Sequence, residues 1–205
     1  VTRAEGGFEF SDNKYKLVDL PGTYSLLSTS TDEEVARDFI LFGQPDVSVV
    51  VVDATRLERN LNLVLQILEI TDRVVLCLNL MDEAERHQIK IDERMLSKDL
   101  GIPVIPAVAR YNKGMNELLN AIYEVATGMY ICKPYRLKSK SRDLNFAVEK
   151  LSKMLFEEFP NLPNAKWVAL RLLEGDQSII DSIRNGELGK IYSIDQKKIE
   201  LEEVV

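Results

Sequence analysis

Three short runs of apolar, largely β-branched residues stand out in the first half of the chain, at 47–53, 73–80 and 102–108. Apolar residues fill each run almost continuously instead of alternating with polar ones. This pattern is typical of parallel strands that are buried on both faces of a sheet. The pattern therefore predicts three central strands of one parallel sheet.

Segments with helical periodicity separate or follow these strands, at 58–70, 92–100 and 114–128. The apolar residues of the first segment are predicted to share one helix face: Leu61, Val64, Leu65 and Leu68. Gly101 and Gly128 stand at the ends of the other two segments, where a glycine commonly terminates a helix. Alternation of strand and helix predicts right-handed βαβ units and a doubly wound sheet.

The opening residues have a different pattern. The segments 6–10 and 15–19 flank the turn-prone stretch "SDNK", and together they predict a β-hairpin. We expect this hairpin to join the parallel sheet and give it an antiparallel edge strand. The fold class predicted for this part is therefore α/β, with a mixed, mostly parallel sheet and helices on both of its faces.

Beyond about residue 130 the pattern is helical only. Helices are predicted at 143–159 and 165–175, and "QSIIDSI" continues the helical character. A basic, turn-prone connector precedes them, which we interpret as a solvated linker. The sequence thus predicts an α/β domain over 1–130 and a small helical domain over 131–205.

Composition excludes several classes of protein. Apolar residues make up 45% of the 205 residues, which suffices for a core, and the net charge of −7 argues against general nucleic-acid binding. Two cysteines and one histidine leave little material for a disulfide framework or a zinc site. No apolar stretch approaches the roughly 20 residues of a membrane span, so we expect a soluble chain.

Polar residues follow the predicted strands at the ends where α/β proteins bind ligands. Asp19 ends "KLVD" and is followed by Pro21 and Gly22, which predict a sharp turn. Asn79 and Asp82 follow the strand "VVLCLNL". Each pair also has a structural interpretation, because Asp19 suits an ordinary strand exit and Asp82 suits a helix cap.

The residue types at 79 and 82 suit guanine. A carboxylate such as Asp82 accepts two hydrogen bonds side by side, and guanine presents an N–H and an NH₂ that point the same way. Adenine has an acceptor where guanine has that N–H, so the same carboxylate would repel it. The asparagine side chain carries a donor and an acceptor, and it can read the purine edge or tie neighbouring loops together.

Together, DxxG, NxxD and a small-residue loop after a third strand form the layout of a P-loop GTPase. In that layout Asp19 binds Mg²⁺ through water, and the Gly22 amide meets the γ-phosphate of GTP. The backbone of Val108 and Ala109 faces the base, with the Ala109 amide on the guanine carbonyl oxygen. Thr2 completes the Mg²⁺ shell, unless it lies in a disordered terminus.

The segments "DLPGTYSL", "VVDATRLERNL" and "NLMDEAE" resemble the N-terminal G domain of the bacterial ferrous-iron transport protein B (FeoB) family. The resemblance covers residues 1 to about 128, and it includes an apolar Leu80 where most small GTPases have lysine. The helical remainder resembles the GDP-dissociation-inhibitor-like domain of that family by position and helical character.

The resemblance implies a GTP-binding and slowly GTP-hydrolysing regulatory domain of a ferrous-iron transporter, with GTP or GDP and Mg²⁺ as ligands. Its partner would be the membrane permease of the full-length protein, so the domain would be cytoplasmic, at the bacterial inner membrane. A homo-oligomer is left open. No catalytic residue can be assigned, because Thr23 follows Gly22 where Ras-like proteins have the glutamine that orients water.

Two departures qualify this resemblance. Val108 stands where relatives usually have serine, which removes a hydroxyl from the base loop. No GxxxxGK[ST] phosphate-binding loop occurs in the sequence, which begins at "VTRAEGG" without an initiator methionine. We therefore expect the chain to be part of a longer polypeptide that supplies this loop. The alternatives are an inert interaction module without the loop, or a ribosome- or translation-type GTPase, which would normally have lysine at position 80.

Overall fold

A computed structural model describes residues 4–26, 30–136, 141–160, 162 and 164–184. Its contacts divide the chain into two compact units. The first contains residues 1–40 and 45–136, and the second contains residues 41–44 and 137–205. Thr2 lies outside the described residues. In the part of the chain that is described, no helix is both long and apolar enough to cross a bilayer.

The first unit begins with the predicted hairpin. Strands β1 (Ala4–Phe10) and β2 (Asn13–Asp19) pair antiparallel. Ser11 and Asp12 form the connection with positive φ angles of 49° and 61°, as a tight hairpin turn with the right twist requires. The rings of Phe8 and Tyr15 stack with centroids 4.8 Å apart across the pair. The hairpin prediction is confirmed.

The three apolar runs form strands β3 (Ser48–Asp53), β4 (Val74–Asn79) and β5 (Val104–Pro106) of one parallel sheet in the order β3-β4-β5. Five helices belong mainly to this unit: α1 (Thr31–Phe42), α2 (Leu57–Ile70), α3 (Met81–Arg86), α4 (Glu93–Leu100) and α5 (Met115–Ala126). Helix α2 packs on β3 and β4, and α5 packs on β4 and β5. Strands and helices alternate here as the sequence predicts.

One expectation about the sheet was wrong. The hairpin forms a two-stranded sheet of its own and does not pair with β3, β4 or β5. Among the described residues no strand lies between β2 and β3, so the antiparallel edge that we expected is not joined to the parallel sheet. Two strands pair only where they lie about 4.8 Å apart in space. The pattern of apolar residues predicts that a strand forms, but it does not identify the strand with which it pairs.

Burial on both faces holds for β4 but not for β3. Every residue from Val74 to Leu78 is buried, because α2 covers one face and α5 the other. In β3 only Val50 and Val52 are buried, whereas Val49 and Val51 are 36% and 61% exposed. The prediction of two buried faces was wrong for β3, since only one of its two alternating sets of side chains is buried.

The buried face of α2 is rotated slightly from the predicted one. Val64 and Leu68 are fully buried as expected, but Leu65 is 40% exposed and Ile67 takes its place in the core. A strip of residues at positions 64, 67 and 68 follows the helical repeat as well as the predicted strip does. Packing against β3 and β4 decides between them.

The second unit contains three helices in its described part: α6 (Arg142–Glu158), α7 (Ala165–Leu173) and α8 (Gln177–Arg184). The side chains of Ser141 and Asn164 accept hydrogen bonds from the first turns of α6 and α7, which caps both helices. Leu155 of α6 and Trp167 of α7 are buried where these helices pack. The predicted helical segments are present.

Candidate guanine-nucleotide site

The carboxyl ends of the parallel strands meet at one edge of the sheet. Asp53, the last residue of β3, lies beside Asn79, the last residue of β4. Beyond β5, the Ala107 amide donates to the Leu78 carbonyl at 2.7 Å. This register brings the loops after β4 and β5 together, which is where open α/β sheets bind their ligands.

Asn79 ties these two loops to each other. Its Oδ1 accepts a hydrogen bond from the Ala109 amide at 3.1 Å. Ala109 begins a single 3₁₀ turn, Ala109–Tyr111, and Val108 before it is buried and bonded through its main chain to Lys113. Of the two predicted roles for the asparagine, loop tying is the one seen here.

Leu80 sets the direction of Asp82. It has a left-handed backbone with φ 62°, which is uncommon for a residue with a branched side chain. This conformation reverses the chain so that the Met81 amide donates to the Ala107 carbonyl at 3.2 Å and helix α3 begins at once. Asp82 therefore lies in the first turn of α3, at the same edge as Asn79.

The two oxygens of Asp82 have different surroundings. Oδ2 receives the Arg110 guanidinium at 3.1 Å and that of Arg86 at 3.5 Å. Oδ1 is buried and has no hydrogen-bond partner among the described residues. A buried acceptor without a donor is costly, so it marks a position where a ligand donor would be stabilised. The donor set of a guanine edge fits this group.

The Asp19 end of the site is not linked to the Asp82 end. Asp19 is exposed at the end of β2, and among the described residues no side-chain hydrogen bond or ion pair connects it to Asn79 or Asp82. The described residues also contain no cluster of three or more acidic, histidine or cysteine side chains that could hold a metal alone.

Gly22 does not use the backbone freedom that the sequence suggested. Its φ is not in the left-handed region, and the chain from Leu20 to Leu26 is irregular with a bend at Tyr24. The sharp Pro-Gly turn was therefore a wrong expectation. A Cβ at Gly22 would meet nothing within 4 Å, so there is open space on the side of the chain where a side chain would lie.

Sequence reasoning missed the contacts that hold this segment. Gln66 of α2 accepts from the Leu26 amide at 2.6 Å and from the Ser25 hydroxyl at 3.3 Å. The Arg59 guanidinium, about two turns before Gln66 in α2, lies 4.4 Å from the centroid of the Tyr24 ring. A polar residue inside the apolar pattern of α2 was the available signal for Gln66. Helix α2 thus anchors the chain that follows the DxxG motif.

Replacing Gln66 by leucine is expected to release residues 20–26. The Leu26 amide would lose its acceptor in a partly buried position, at a cost of about 1–2 kcal/mol. Amide hydrogen exchange of this segment should accelerate while exchange in β4 stays slow. Gln66→Glu keeps the acceptor oxygen and is the matched control. Equal exchange rates in the leucine variant and the wild type would show that Gln66 does not anchor the segment.

Asp53 and the cysteines have local roles. Asp53 Oδ1 accepts from the Thr55 amide and hydroxyl at 2.8 and 2.7 Å, which caps the 3₁₀ turn Ala54–Arg56. Burial raises the pKa of the Cys77 thiol, which lies in the middle of β4. Burial also raises the pKa of the Cys132 thiol, and the negative charge of Asp72 raises it further. Both thiols are therefore protonated at neutral pH.

The fold and this site define a class. Parallel strands ending in NxxD, beside a loop whose amide meets the asparagine, belong to the G domains of the GTPase superfamily. The ferrous iron transport protein B family matches residues 1–122, and the FeoB cytosolic helical domain matches residues 141–204. The chain belongs to the FeoB family. The predicted resemblance and the predicted fold class, a G-domain α/β fold followed by a helical part, are confirmed.

Sequence relatives support the same family assignment. The Fe(2+) transporter FeoB of Salmonella typhimurium and that of Escherichia coli K12 are each 39% identical over 180 residues. These matches cover 86% of this chain but 23% of each relative, so the chain spans about a quarter of their length.

Solved structures match closely as well. The cytosolic domain of T. maritima FeoB in a GDP form aligns with TM-score 0.77 and 33% identity, covering 93% of this chain and 72% of that one. The Methanococcus jannaschii FeoB G domain aligns with TM-score 0.59 and 47% identity, covering 60% of this chain and 79% of that one.

Proposed function

We propose that the chain is the guanine-nucleotide-binding and GTP-hydrolysing regulatory part of a ferrous-iron transporter. The observation that carries this proposal is the buried, partner-free Oδ1 of Asp82 at the edge where Asn79 meets the Ala109 amide. Related FeoB cytosolic domains have been solved in GDP and GMPPNP forms, which supports the same ligand class.

Each predicted residue has a proposed role. Asp82 accepts from the N–H and NH₂ of guanine, and Asn79 holds the base loop in place. The backbone of Val108 and Ala109 forms the wall next to the base carbonyl. Asp19 holds Mg²⁺ through water, and Gly22, which has open space at its Cβ position, offers its amide to the γ-phosphate. Thr2, which lies outside the described residues, remains a proposed Mg²⁺ ligand. Bound Mg²⁺ would neutralise phosphate charge.

The segment after Gly22 is the proposed switch. Contacts with Gln66 and Arg59 hold this segment on α2. A γ-phosphate that binds the Gly22 amide would therefore compete with these contacts for the segment. Nucleotide-dependent release of this segment is the event that could inform a membrane permease in the full-length transporter, with this chain on the cytoplasmic side. Iron itself would be handled by the permease.

Hydrolysis is expected to be slow. Thr23 takes the place of a water-orienting glutamine, and its hydroxyl donates to the Ser25 carbonyl at 2.5 Å and accepts from the Ser25 amide at 3.2 Å. This local bonding leaves Thr23 poorly placed to orient a water molecule. No other described residue is assigned as a general base, and the catalytic residue is left unassigned.

Competition binding tests the proposal in the protein as it occurs naturally, with Mg²⁺ present. GDP and GTP should displace a fluorescent guanine nucleotide at least 100-fold more effectively than ADP and ATP, because adenine presents an acceptor to Asp82. Single-turnover GTP hydrolysis should stay far below the 5–20 per second of a GAP-stimulated Ras protein. Equal displacement by adenine nucleotides, or no binding at all, would contradict the proposed function.

A further inference from the structure

Only one of the two carboxylate oxygens of Asp82 accepts hydrogen bonds from the described residues. Each carboxylate oxygen has about two lone-pair positions for hydrogen bonds. Oδ2 has both in use, because Arg110 lies at 3.1 Å and Arg86 at 3.5 Å. Oδ1 has neither in use and is shielded from solvent. The resting site is therefore asymmetric at the group that is proposed to read the base.

Guanine needs both oxygens, since its N–H and NH₂ point the same way and each requires an acceptor. Oδ1 has no protein donor to give up, so it can serve one of these donors once the base has displaced the atoms that shield it. The other donor must reach Oδ2, and one of the two arginines has to give up its position there. The affinity for guanine therefore depends on which arginine leaves and on how firmly it is held.

Arg110 is the arginine that a guanine base would have to displace from Oδ2. It follows Ala109 directly, so it belongs to the loop that is proposed to face the base. Arg86 lies on α3 with Asp82, reaches Oδ2 only at the limit of a hydrogen bond, and bonds Glu83 at 2.9 Å. The Arg110 guanidinium also lies 4.6 Å from the centroid of the Tyr111 ring, so it has a second partner next to the one that it would give up.

We propose that Arg110 is a positioning residue that latches the base-reading carboxylate, so that a guanine nucleotide binds only by displacing Arg110 from Asp82. This inference rests on the proposed function. The Ala109 amide is likewise engaged by Asn79 before any base arrives. The Ala109 amide and one of the two oxygens of Asp82 are thus engaged within the chain at rest, and nucleotide binding replaces these internal contacts with contacts to the ligand.

A base with a single donor tests whether Arg110 blocks Oδ2 or only stabilises the loop that carries it. Hypoxanthine has the N–H of guanine but lacks its NH₂, so an inosine nucleotide needs only one carboxylate oxygen and can use Oδ1. The latch therefore weakens the binding of GDP but not that of IDP. Removing Arg110 should raise the affinity for GDP while the affinity for IDP stays the same.

The test measures dissociation constants of GDP and IDP by competition in the natural protein and in Arg110→Gln, Arg110→Lys and Arg86→Gln. The Asp82–Arg110 pair is partly exposed, so the glutamine variant should bind GDP about two- to fivefold more tightly at low salt, with IDP unchanged. Arg110→Lys and the control Arg86→Gln should keep the wild-type ratio of the two constants. Raising ionic strength from about 0.05 to 0.5 M should move the wild-type ratio towards that of Arg110→Gln, because salt screens the pair.

An unchanged ratio in Arg110→Gln, or a loss of affinity for both nucleotides, would overturn the latch and leave the proposed function standing. Absence of any preference for GDP over ADP in the wild type would overturn the proposed function and the latch with it. These outcomes are read from different nucleotide pairs, so the two failures are distinguishable.

Discussion

Replacing Asp82 by asparagine is expected to transfer nucleotide preference from guanine to xanthine. The asparagine amide presents a donor where the carboxylate presented an acceptor, so one guanine donor would face another donor. Loss of two charge-assisted hydrogen bonds predicts a fall in GDP affinity of about 100-fold or more. Xanthine carries a carbonyl in place of the guanine NH₂, and it should recover most of the binding. Competition of GDP and XDP against a fluorescent nucleotide measures this exchange.

Glu83→Gln is the matched control for this substitution. Glu83 lies next to Asp82 in α3, and it bonds Arg86 at 2.9 Å and lies 3.9 Å from Arg110. The control removes the same charge from the same cluster without changing the proposed base contact. A loss of GDP affinity in Glu83→Gln equal to that in Asp82→Asn would assign the effect to general electrostatics. Unchanged GDP preference in Asp82→Asn would remove Asp82 from the site.

The parts of the site that sequence could predict are those fixed by short-range connectivity. Asn79 and Asp82 are separated by two residues, and the left-handed Leu80 between them brings both to the same edge of the sheet. An apolar strand followed by NxxD can be recognised from neighbouring residues alone, without knowledge of contacts to distant segments. The same holds for the hairpin, whose register follows from a two-residue turn.

Contacts between distant segments could not be predicted in this way. Gln66 reaches Leu26 across 40 residues, and Arg110 reaches Asp82 across 28. The sequence shows that Gln66 interrupts an apolar pattern and that Arg110 follows a strand, but it identifies the partner of neither side chain. Burial failed for a related reason at Val49, Val51 and Leu65, because exposure depends on which helix covers a face and not on the apolar character of the residue.

Gly114→Ala is expected to cause a large loss of stability. Gly114 precedes α5 with φ +77°, where an alanine is strained by about 1–2 kcal/mol. The new Cβ would also overlap the Pro106 carbonyl oxygen and lie 3.1 Å from the Ala107 Cα. Both atoms belong to the backbone at the end of β5, so relief requires the strand or the loop 107–113 to move. We expect a total loss of about 3–5 kcal/mol in the free energy of unfolding, measured by denaturant titration.

The matched control is Gly128→Ala, at the other end of the same helix. Gly128 has a similar φ of +75°, but its Cβ would meet nothing within 4 Å. This variant isolates the backbone strain, and it should lose only about 1–2 kcal/mol. Because the loop that moves in Gly114→Ala contains Val108 and Ala109, that variant should also bind GDP more weakly, while Gly128→Ala should bind normally. Equal losses of stability in the two variants would show that the Pro106 contact contributes nothing. A Gly114 variant with normal GDP affinity would separate the 107–113 loop from the base site.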